Sequence, residues 1–120
     1  MIINLTQHAP TATQVDAGVT APVPETIPLL NFAAAPTQVE VHERARQLAG
    51  IAQRMGAESA MIGGAPYLMG PLELELRDVG IMPLYSFSER RSVETVLSDG
   101  TVKKSAVFEH VGWVTGATIA

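Results

Sequence analysis

Nine residues of types that bind phosphates, sugars or bases stand at three places where the pattern of the chain predicts loops. They are Thr6, His8, Gly63, Gly64, Tyr67, Ser86, Ser88, Arg90 and Arg91. Glycine amides can approach a ligand closely because no Cβ intervenes. Hydroxyl and guanidinium groups hydrogen-bond to phosphate oxygens, and aromatic rings stack on bases. This combination indicates recognition of a phosphate-bearing nucleotide better than recognition of an apolar substrate.

The Gly63-Gly64 pair is the feature around which these residues are expected to gather. It follows Ser59–Ile62, which is predicted to be a strand, and precedes a segment predicted to be a helix. Ligands of α/β proteins usually bind outside the carboxyl ends of such strands, and the N-terminus of the next helix favours an anion. The pair matches neither the dinucleotide-binding G-x-G-x-x-G pattern nor a Walker A loop. A tight connection with no ligand is therefore the alternative explanation.

Three helices are predicted from their start and stop signals. Thr11 and Gln14 form a capping box for a short helix that ends at Gly18. A second capping box, Thr37 with Glu40, begins a longer helix that ends before Gly56. Its apolar stripe consists of Val41, Ala45, Leu48, Ala52 and Met55. The third helix is predicted to begin between Tyr67 and Met69 and to stop at Gly80.

The strands are predicted from short apolar runs between these helices. Ile2–Leu5, Ser59–Ile62 and residues 81–87 have this character. A further strand is predicted over residues 27–32, but Pro28 lacks a backbone donor and restricts it to a sheet edge.

A β-hairpin is predicted after this alternating part of the chain. Asp99-Gly100 lies between two strand-like runs, residues 92–97 and 102–110, and is a strong signal for a two-residue turn. A two-residue turn pairs Leu97 with Val102, Val93 with Ala106, Arg91 with Phe108 and Glu89 with His110. That register gathers Glu89, Arg91 and His110 on one face of the hairpin.

The order of elements predicts an α/β fold. We expect one domain, a small Rossmann-like parallel sheet flanked by helices over residues 1–90, with a C-terminal β-hairpin extension over residues 91–114. The first strand is expected in the interior of the sheet, with helices on both faces. The carboxyl ends of the strands then form a crevice lined by the three loops that hold the nine residues.

Composition excludes several classes of protein. The formal charge of −4 argues against a general DNA- or RNA-binding coat, and the chain has no cysteine for disulfides or thiolate metal sites. We expect no metal site and no cofactor, because the three histidines lack metal-binding spacing. A serine hydrolase has no support, since no G-x-S-x-G elbow occurs. No signal peptide or membrane span is predicted, which favours a cytoplasmic protein.

The pattern resembles a known group of proteins. A strand ending in Asn-x-Thr-x-His, a short helix, a Pro-rich segment, a helix, a strand, Gly-Gly-x-Pro-Tyr, a helix and a strand is similar to the small, single-domain Rossmann-like proteins associated with type III CRISPR systems. These are related in fold to CARF domains and include ring nucleases. The resemblance covers residues 2–87 and is best over residues 62–84. It implies a homodimer that binds, and in some members cleaves, a cyclic oligoadenylate.

Three hypotheses about function follow. The first is an enzyme that opens a cyclic oligonucleotide without a metal, with His8 as the candidate catalytic residue and all nine residues as the ligand site. The second is a non-catalytic sponge for such a messenger, of the kind that phages use against host defence. The third is a structural or interaction protein with no small ligand.

Each candidate residue also has a structural explanation that needs no ligand. His8 can hold its loop by a side-chain hydrogen bond, and Tyr67 can pack with its hydroxyl in water. Ser86 and Ser88 are common turn residues, and the two arginines can be solvated charges. His110 is expected to be a half-buried strand residue rather than a catalyst.

Overall fold

The computed structural model describes residues 1–116 as one four-stranded sheet with its helices. The elements are β1 (Ile2–Leu5), α1 (Ala12–Asp16), a 3₁₀ turn (Pro24–Thr26), α2 (Ile27–Leu30), α3 (Gln38–Arg54), β2 (Ser59–Ile62), α4 (Pro66–Asp78), β3 (Met82–Val96) and β4 (Val102–Thr115). Strands β1, β2 and β3 are parallel, and β4 is antiparallel to β3. The predicted α/β fold, with a parallel sheet, flanking helices and a C-terminal hairpin, is confirmed.

The two predicted cap residues begin their helices. Thr11 Oγ1 accepts from the Gln14 amide while the Gln14 side chain accepts from the Thr11 amide, so the capping box of α1 is complete. Thr37 caps α3 through the amide of Glu40, but the Glu40 carboxylate pairs with Arg44 at 2.8 Å instead of closing a box. Helix α4 begins at Pro66, one residue before the predicted range, because proline is favoured in the first turn.

The sheet order β1-β2-β3 decides where the helices lie. Two successive right-handed crossovers in the same direction place both long helices on one face of the sheet, and α3 and α4 do pack together there. Their core partners in the sheet are Ile3, Leu5, Ala60 and Ile62. Side chains alternate along strands, so Asn4, Met61 and Leu84 point to the opposite face. The short helix α1 lies against this second face.

This order corrects two expectations. Strand β1 is at an edge of the sheet rather than in its interior; within residues 1–116, its outer side has only the bridge from Ile2 to Val19. The Gly63-Gly64 pair was also expected at a topological switch point of the sheet, but the strand order never reverses, so the crevice at the carboxyl end is not formed at one.

Residues 27–32 do not form the predicted edge strand. The 3₁₀ turn and α2 occupy this region, and Leu30 is buried in the core. Pro28 lies in the first turn of α2, where its missing N–H would have no helical partner, so the proline that argued for an edge strand is equally suited to a helix start. Without this strand, β1 remains at the edge.

The hairpin forms, but its predicted register is wrong by one residue. The loop has three residues, Ser98 to Gly100, because the Leu97 amide bonds to the Thr101 carbonyl at 2.8 Å and Gly100 takes a φ of 83°. Val96 therefore pairs with Val102, and a β-bulge separates the pairs Phe87–Gly112 and Ser88–His110. A one-residue shift moves every side chain of one strand to the other face.

Strands β3 and β4 continue far beyond the parallel sheet as a two-stranded arm, residues 88–108. Every residue of the arm is exposed. The arm lengthens the molecule to 58 × 31 × 27 Å and raises its radius of gyration to 17.0 Å, whereas about 14 Å is expected for a globular domain of this size. Within the described chain, no helix has the length and apolar character needed to span a bilayer.

Candidate functional site

The parallel strands bring Thr6, Gly63 and Ser86 to the same end of the sheet. Leu5 pairs with Ile62, so Thr6 and Gly63 are the next residues along the two strands and lie side by side. A Cβ built on Gly63 lies 3.7 Å from Thr6 Cγ2. Ser86 lies two residues beyond Leu84, which pairs with Met61. Alternation places all three residues on the second face of the sheet, beside α1.

Asn4, which sequence reasoning missed, fixes the first of the three loops. Its side chain is fully buried and its Oδ1 accepts from both the amide of Thr6 at 2.9 Å and the hydroxyl of Thr6 at 2.7 Å. Asn4 Nδ2 donates to the His8 carbonyl at 2.9 Å. An amide side chain inside an otherwise apolar strand is the signal that could have identified it.

His8 is held by its backbone and not by its imidazole. The carbonyl of His8 accepts from Asn4, and its amide donates to Thr6 Oγ1 at 3.2 Å. The side chain is exposed and forms no hydrogen bond with residues 1–116. The structural explanation for His8, a loop-holding side-chain hydrogen bond, is therefore wrong, and its ring is free to meet a ligand.

The second loop leaves an open approach to the N-terminus of α4. Gly64 has a φ of 139°, and nothing lies within 4 Å of a Cβ built on it. The N-cap residue Ala65 supplies no side-chain hydrogen bond, and the first turn has no acidic residue. Amides at a helix start carry partial positive charge, so this opening suits an anion.

The segment predicted to be the third loop, residues 86–91, is instead part of β3, and it contains a polar cluster that joins β3, β4 and α1. Ser86 Oγ lies 2.6 Å from His110 Nδ1, and Gln14 Nε2 donates to the same hydroxyl at 3.1 Å. The backbone amide of His110 donates to Thr13 Oγ1 at 3.2 Å. Trp113 packs on the His110 ring with centroids 4.3 Å apart.

Three hydrogen bonds of this cluster meet at the Ser86 hydroxyl. Gln14 Oε1 accepts from the Thr11 amide, which leaves Gln14 Nε2 to donate to Ser86. The donor in the contact between Ser86 Oγ and His110 Nδ1 depends on the tautomer of the imidazole, and the third contact is with Ser88 Oγ at 3.4 Å. The predicted register had placed His110 opposite Glu89, which is why the sequence did not reveal the contact of His110 with Ser86.

Tyr67 lies on the α3–α4 side of the crevice. Its ring meets Phe32 edge to face at 5.2 Å, and the Arg44 guanidinium lies 4.2 Å above Phe32. Tyr67 also borders a groove of about 750 Å³ together with Pro36, His42 and other residues. Tyr67 is half exposed, so it both packs and presents a surface to solvent.

The two arginines point to opposite faces of the arm. Arg90 pairs with Phe108 and shares the face of Ser86 and Ser88, and it forms no ion pair with residues 1–116. Arg91 lies on the other face, where its Nε is 2.8 Å from Glu109 and a second nitrogen is 4.0 Å from Glu89. Arg90 therefore lies on the same face as the candidate ligand-binding residues Ser86 and Ser88, whereas Arg91 lies on the opposite face.

These features define a small, single-sheet Rossmann-like α/β protein with a polar cluster at the carboxyl end of its strands. The chain belongs to the uncharacterized protein MJ1673 family, whose model matches residues 1–114. No curated protein and no solved structure matches the chain. Within residues 1–116, no three histidine or carboxylate side chains lie close enough together to hold a metal ion.

Proposed function

We propose that this protein is a homodimeric receptor for a cyclic oligonucleotide messenger of the oligoadenylate type. The observation that carries the proposal is the opening at Gly64, which lies directly before the N-terminus of α4 and beside the loop that Asn4 holds. The resemblance to CRISPR-associated Rossmann-like proteins supplies the class of ligand. A cyclic ligand suits a two-fold dimer because each subunit can offer the same loops to equivalent phosphates.

Phosphate recognition rests on amides and one arginine. The amides of Gly64, Ala65 and Tyr67 and the partial charge of the α4 N-terminus provide donors without a counter-anion in the first turn. Pro66 has no N–H, and the Leu68 amide already donates to the Ala65 carbonyl. Arg90 adds a cation that no carboxylate of residues 1–116 neutralises. These groups can compensate the negative charge of a phosphate although the chain as a whole has a charge of −4, because a ligand responds to the local electrostatic field.

Sugar and base recognition rests on the hydroxyls and rings around the same edge. The hydroxyls of Thr6 and Ser86 on the second face are already hydrogen-bonded within the protein, and Thr6 is buried. The exposed Ser88 hydroxyl and the exposed imidazole of His8 are therefore the groups that a ligand can reach. Tyr67 offers an exposed aromatic ring on the α3–α4 side of the crevice. A ligand that bridges the carboxyl edge of the sheet can use both sides.

Cleavage of the ring is the second part of the proposal, and His8 is the residue that favours it. A ribose 2′-oxygen can attack the adjacent phosphorus while the bond to the 5′-oxygen breaks, which gives a 2′,3′-cyclic phosphate and a 5′-hydroxyl. The reaction needs in-line alignment and a group that exchanges a proton. The unbonded imidazole of His8 suits that role. A protein that only sequesters the ligand needs no such group.

A matched pair of variants tests this site. Calorimetric titration with cyclic tetraadenylate compares the wild type with Arg90→Gln and Arg91→Gln, which remove one charge each from opposite faces of the arm. Loss of a charged hydrogen bond costs about 1.5–3 kcal/mol, so Arg90→Gln should weaken binding by about ten-fold or more. Arg91→Gln should change it little. Equal effects of the two variants, or no binding by any of the three proteins, would contradict the proposed site.

A further inference from the structure

The arm is a structural element that the fold itself does not stabilise. It consists of two strands only, and such a ribbon is marginal in water without packing on a third strand or a helix. Large apolar side chains are nevertheless exposed on it, with Phe108 at 70% and Val96 at 71%. Exposed apolar surface of this kind usually marks an interaction site.

The outer edge of β4 is available for pairing along the whole arm. Strand β4 ends the sheet order, so among residues 1–116 no strand pairs with its outer side. Residues 102–110 contain no proline, and the bulge lies beyond them at Val111. Natural proteins protect free edges with proline, bulges or lysines, and on this edge Lys103 and Lys104 are the protecting residues. A strand that pairs here must therefore present groups that interact favourably with the two lysines.

We propose that two copies of this chain dimerise by pairing their arms, β4 against β4 in antiparallel orientation, with the two-fold axis at Ala106. The strand that pairs with the free edge of β4 is thus the β4 of a second copy of the same chain. The sheets of the two subunits become continuous through the arms. The inference concerns this interface alone and does not depend on any ligand. Ala106 pairs with Ser92, six residues or about 20 Å along β3 from Ser86, so this interface is distinct from a two-fold contact on which two crevices share one ring.

Symmetry restricts the register of this pairing. Residues opposite each other in an antiparallel pair point to the same face, and a two-fold axis perpendicular to the sheet preserves the faces. One residue of β4 must therefore lie opposite its own copy. An axis that passes between two neighbouring residues of β4 is excluded. It would place residues whose side chains point to opposite faces directly opposite each other.

Charge selects Ala106 among the permitted axes. With the axis there, Lys103 of each copy lies opposite Glu109 of the other, which gives two opposite-charge pairs. An axis at Ser105 places Lys103 opposite Val107, and an axis at Val107 places it opposite Val111. Axes at Lys103 or Lys104 oppose like charges, which is unfavourable.

The environment of Glu109 supports this choice. Glu109 lies opposite Glu89 within its own hairpin, and Arg91 is the one cation that contacts both carboxylates within residues 1–116. Two carboxylates and one guanidinium leave a net charge of −1 on this face. Lys103 from the second copy neutralises it. On the other face, Lys104 meets Phe108, whose large exposed ring can accept a cation.

Single cysteines test the register directly, because the natural chain has none. Ala106→Cys places the two thiols opposite each other across the axis, where Cβ atoms are about 4.5–5.5 Å apart. Ser92→Cys is the matched control, since Ser92 pairs with Ala106 on the same face but belongs to β3. Its two copies are three strand spacings apart, about 14 Å. Mild oxidation of the full-length variants should give a disulfide-linked dimer for Ala106→Cys and not for Ser92→Cys.

Analytical ultracentrifugation with charge variants tests the interface. Lys103→Glu turns two attractive pairs into repulsive ones, so the dimer dissociation constant should rise about ten-fold or more. Lys104 opposes no carboxylate of the second copy but pairs with Glu94 of its own hairpin at 3.8 Å, so the control avoids a new negative charge there. Lys104→Gln should therefore weaken the dimer less than Lys103→Gln. The combined change Lys103→Glu with Glu109→Lys should recover dimerisation. A monomeric wild type, or a dimer in which Ala106→Cys does not link, would overturn the proposal without bearing on ligand binding by the crevice.

Discussion

Ser86 Oγ lies 2.6 Å from His110 Nδ1, and this contact joins the two long strands where they leave the body of the protein. His110 is largely buried, and α1 reaches the same point through Gln14 and Thr13. The base of the arm is thus fixed by polar side chains from three elements. A β-bulge beside them turns Trp113 onto the histidine ring.

Removing the Ser86 hydroxyl should destabilise the fold. Ser86→Ala leaves the buried Nδ1 of His110 and the amide of Gln14 without their partner, at a cost of about 1–3 kcal/mol. Ser88→Ala is the control, because Ser88 is exposed and its hydroxyl contacts, within residues 1–116, only that of Ser86 at 3.4 Å. Urea unfolding followed by tryptophan fluorescence measures both, since the single Trp113 lies in the cluster. Equal midpoints for the two variants would show that the contact contributes nothing.

The two glycines of the second loop should respond differently to alanine. Gly64 has a φ of 139°, so Gly64→Ala should lower stability by about 1–3 kcal/mol through backbone strain. Gly63 has no such requirement, and its added Cβ would make only an ordinary contact with Thr6. Thermal unfolding compares the two variants. Similar melting temperatures would contradict the strain at Gly64.

A glycine pair at the end of a strand predicts a positive φ at Gly63 or Gly64, and Gly64 has one. Gly64→Val would therefore lower both stability and ligand binding, because a side chain strains the backbone there. Gly63→Ala is the better probe of the loop, because it adds bulk beside Thr6 without backbone strain.

Ionisation of the Tyr85 hydroxyl should lower the stability of the fold at alkaline pH. Burial first, and then the charge and hydrogen bond of Glu73, raise the pKa of Tyr85 above its ordinary value of 10.0. The unfolded chain therefore releases this proton more readily, so the tyrosine's contribution is intact below pH 10.0 and is lost as the pH rises through the folded-state pKa. Tyr85→Phe should lose less stability than the wild type between neutral pH and alkali, as measured by urea unfolding. Tyr67→Phe, at the exposed tyrosine, is the control, and parallel pH profiles for wild type and Tyr85→Phe would refute the linkage.

Local signals were sufficient for much of the fold. Strand β2 has its predicted bounds, and Thr11 and Thr37 both cap helices, because caps and short apolar runs depend on nearby residues. Pro28 was ambiguous for a physical reason: it suits both an edge strand and the first turn of a helix. The packing of Leu30 in the core decides between them, and no local pattern reports it.

The candidate site was predictable where it depends on strand ends. Thr6 and Gly63 are adjacent because parallel strands end at one edge, whereas His110 was misplaced by a one-residue error in the hairpin register. Arg91 leaves the ligand face because adjacent residues of a strand point to opposite faces, and the segment was predicted to be a loop. The error in the register arose because Asp99-Gly100 fits both a two-residue turn and the end of a three-residue loop. Asn4 and Gln14 act through contacts with distant residues or with loop backbone, which spacing alone does not predict.

The most direct test of the proposed function is calorimetric titration of the wild-type protein with cyclic di-, tri-, tetra- and hexanucleotides, followed by chromatography of each mixture. We expect one ring size to bind at micromolar concentration or tighter, with one ring per dimer and with affinity that falls as salt rises. Linear products would identify a ring nuclease, and intact ligand would identify a sponge. Absence of binding by every member of the panel would contradict the account and favour a protein that acts only through its arm.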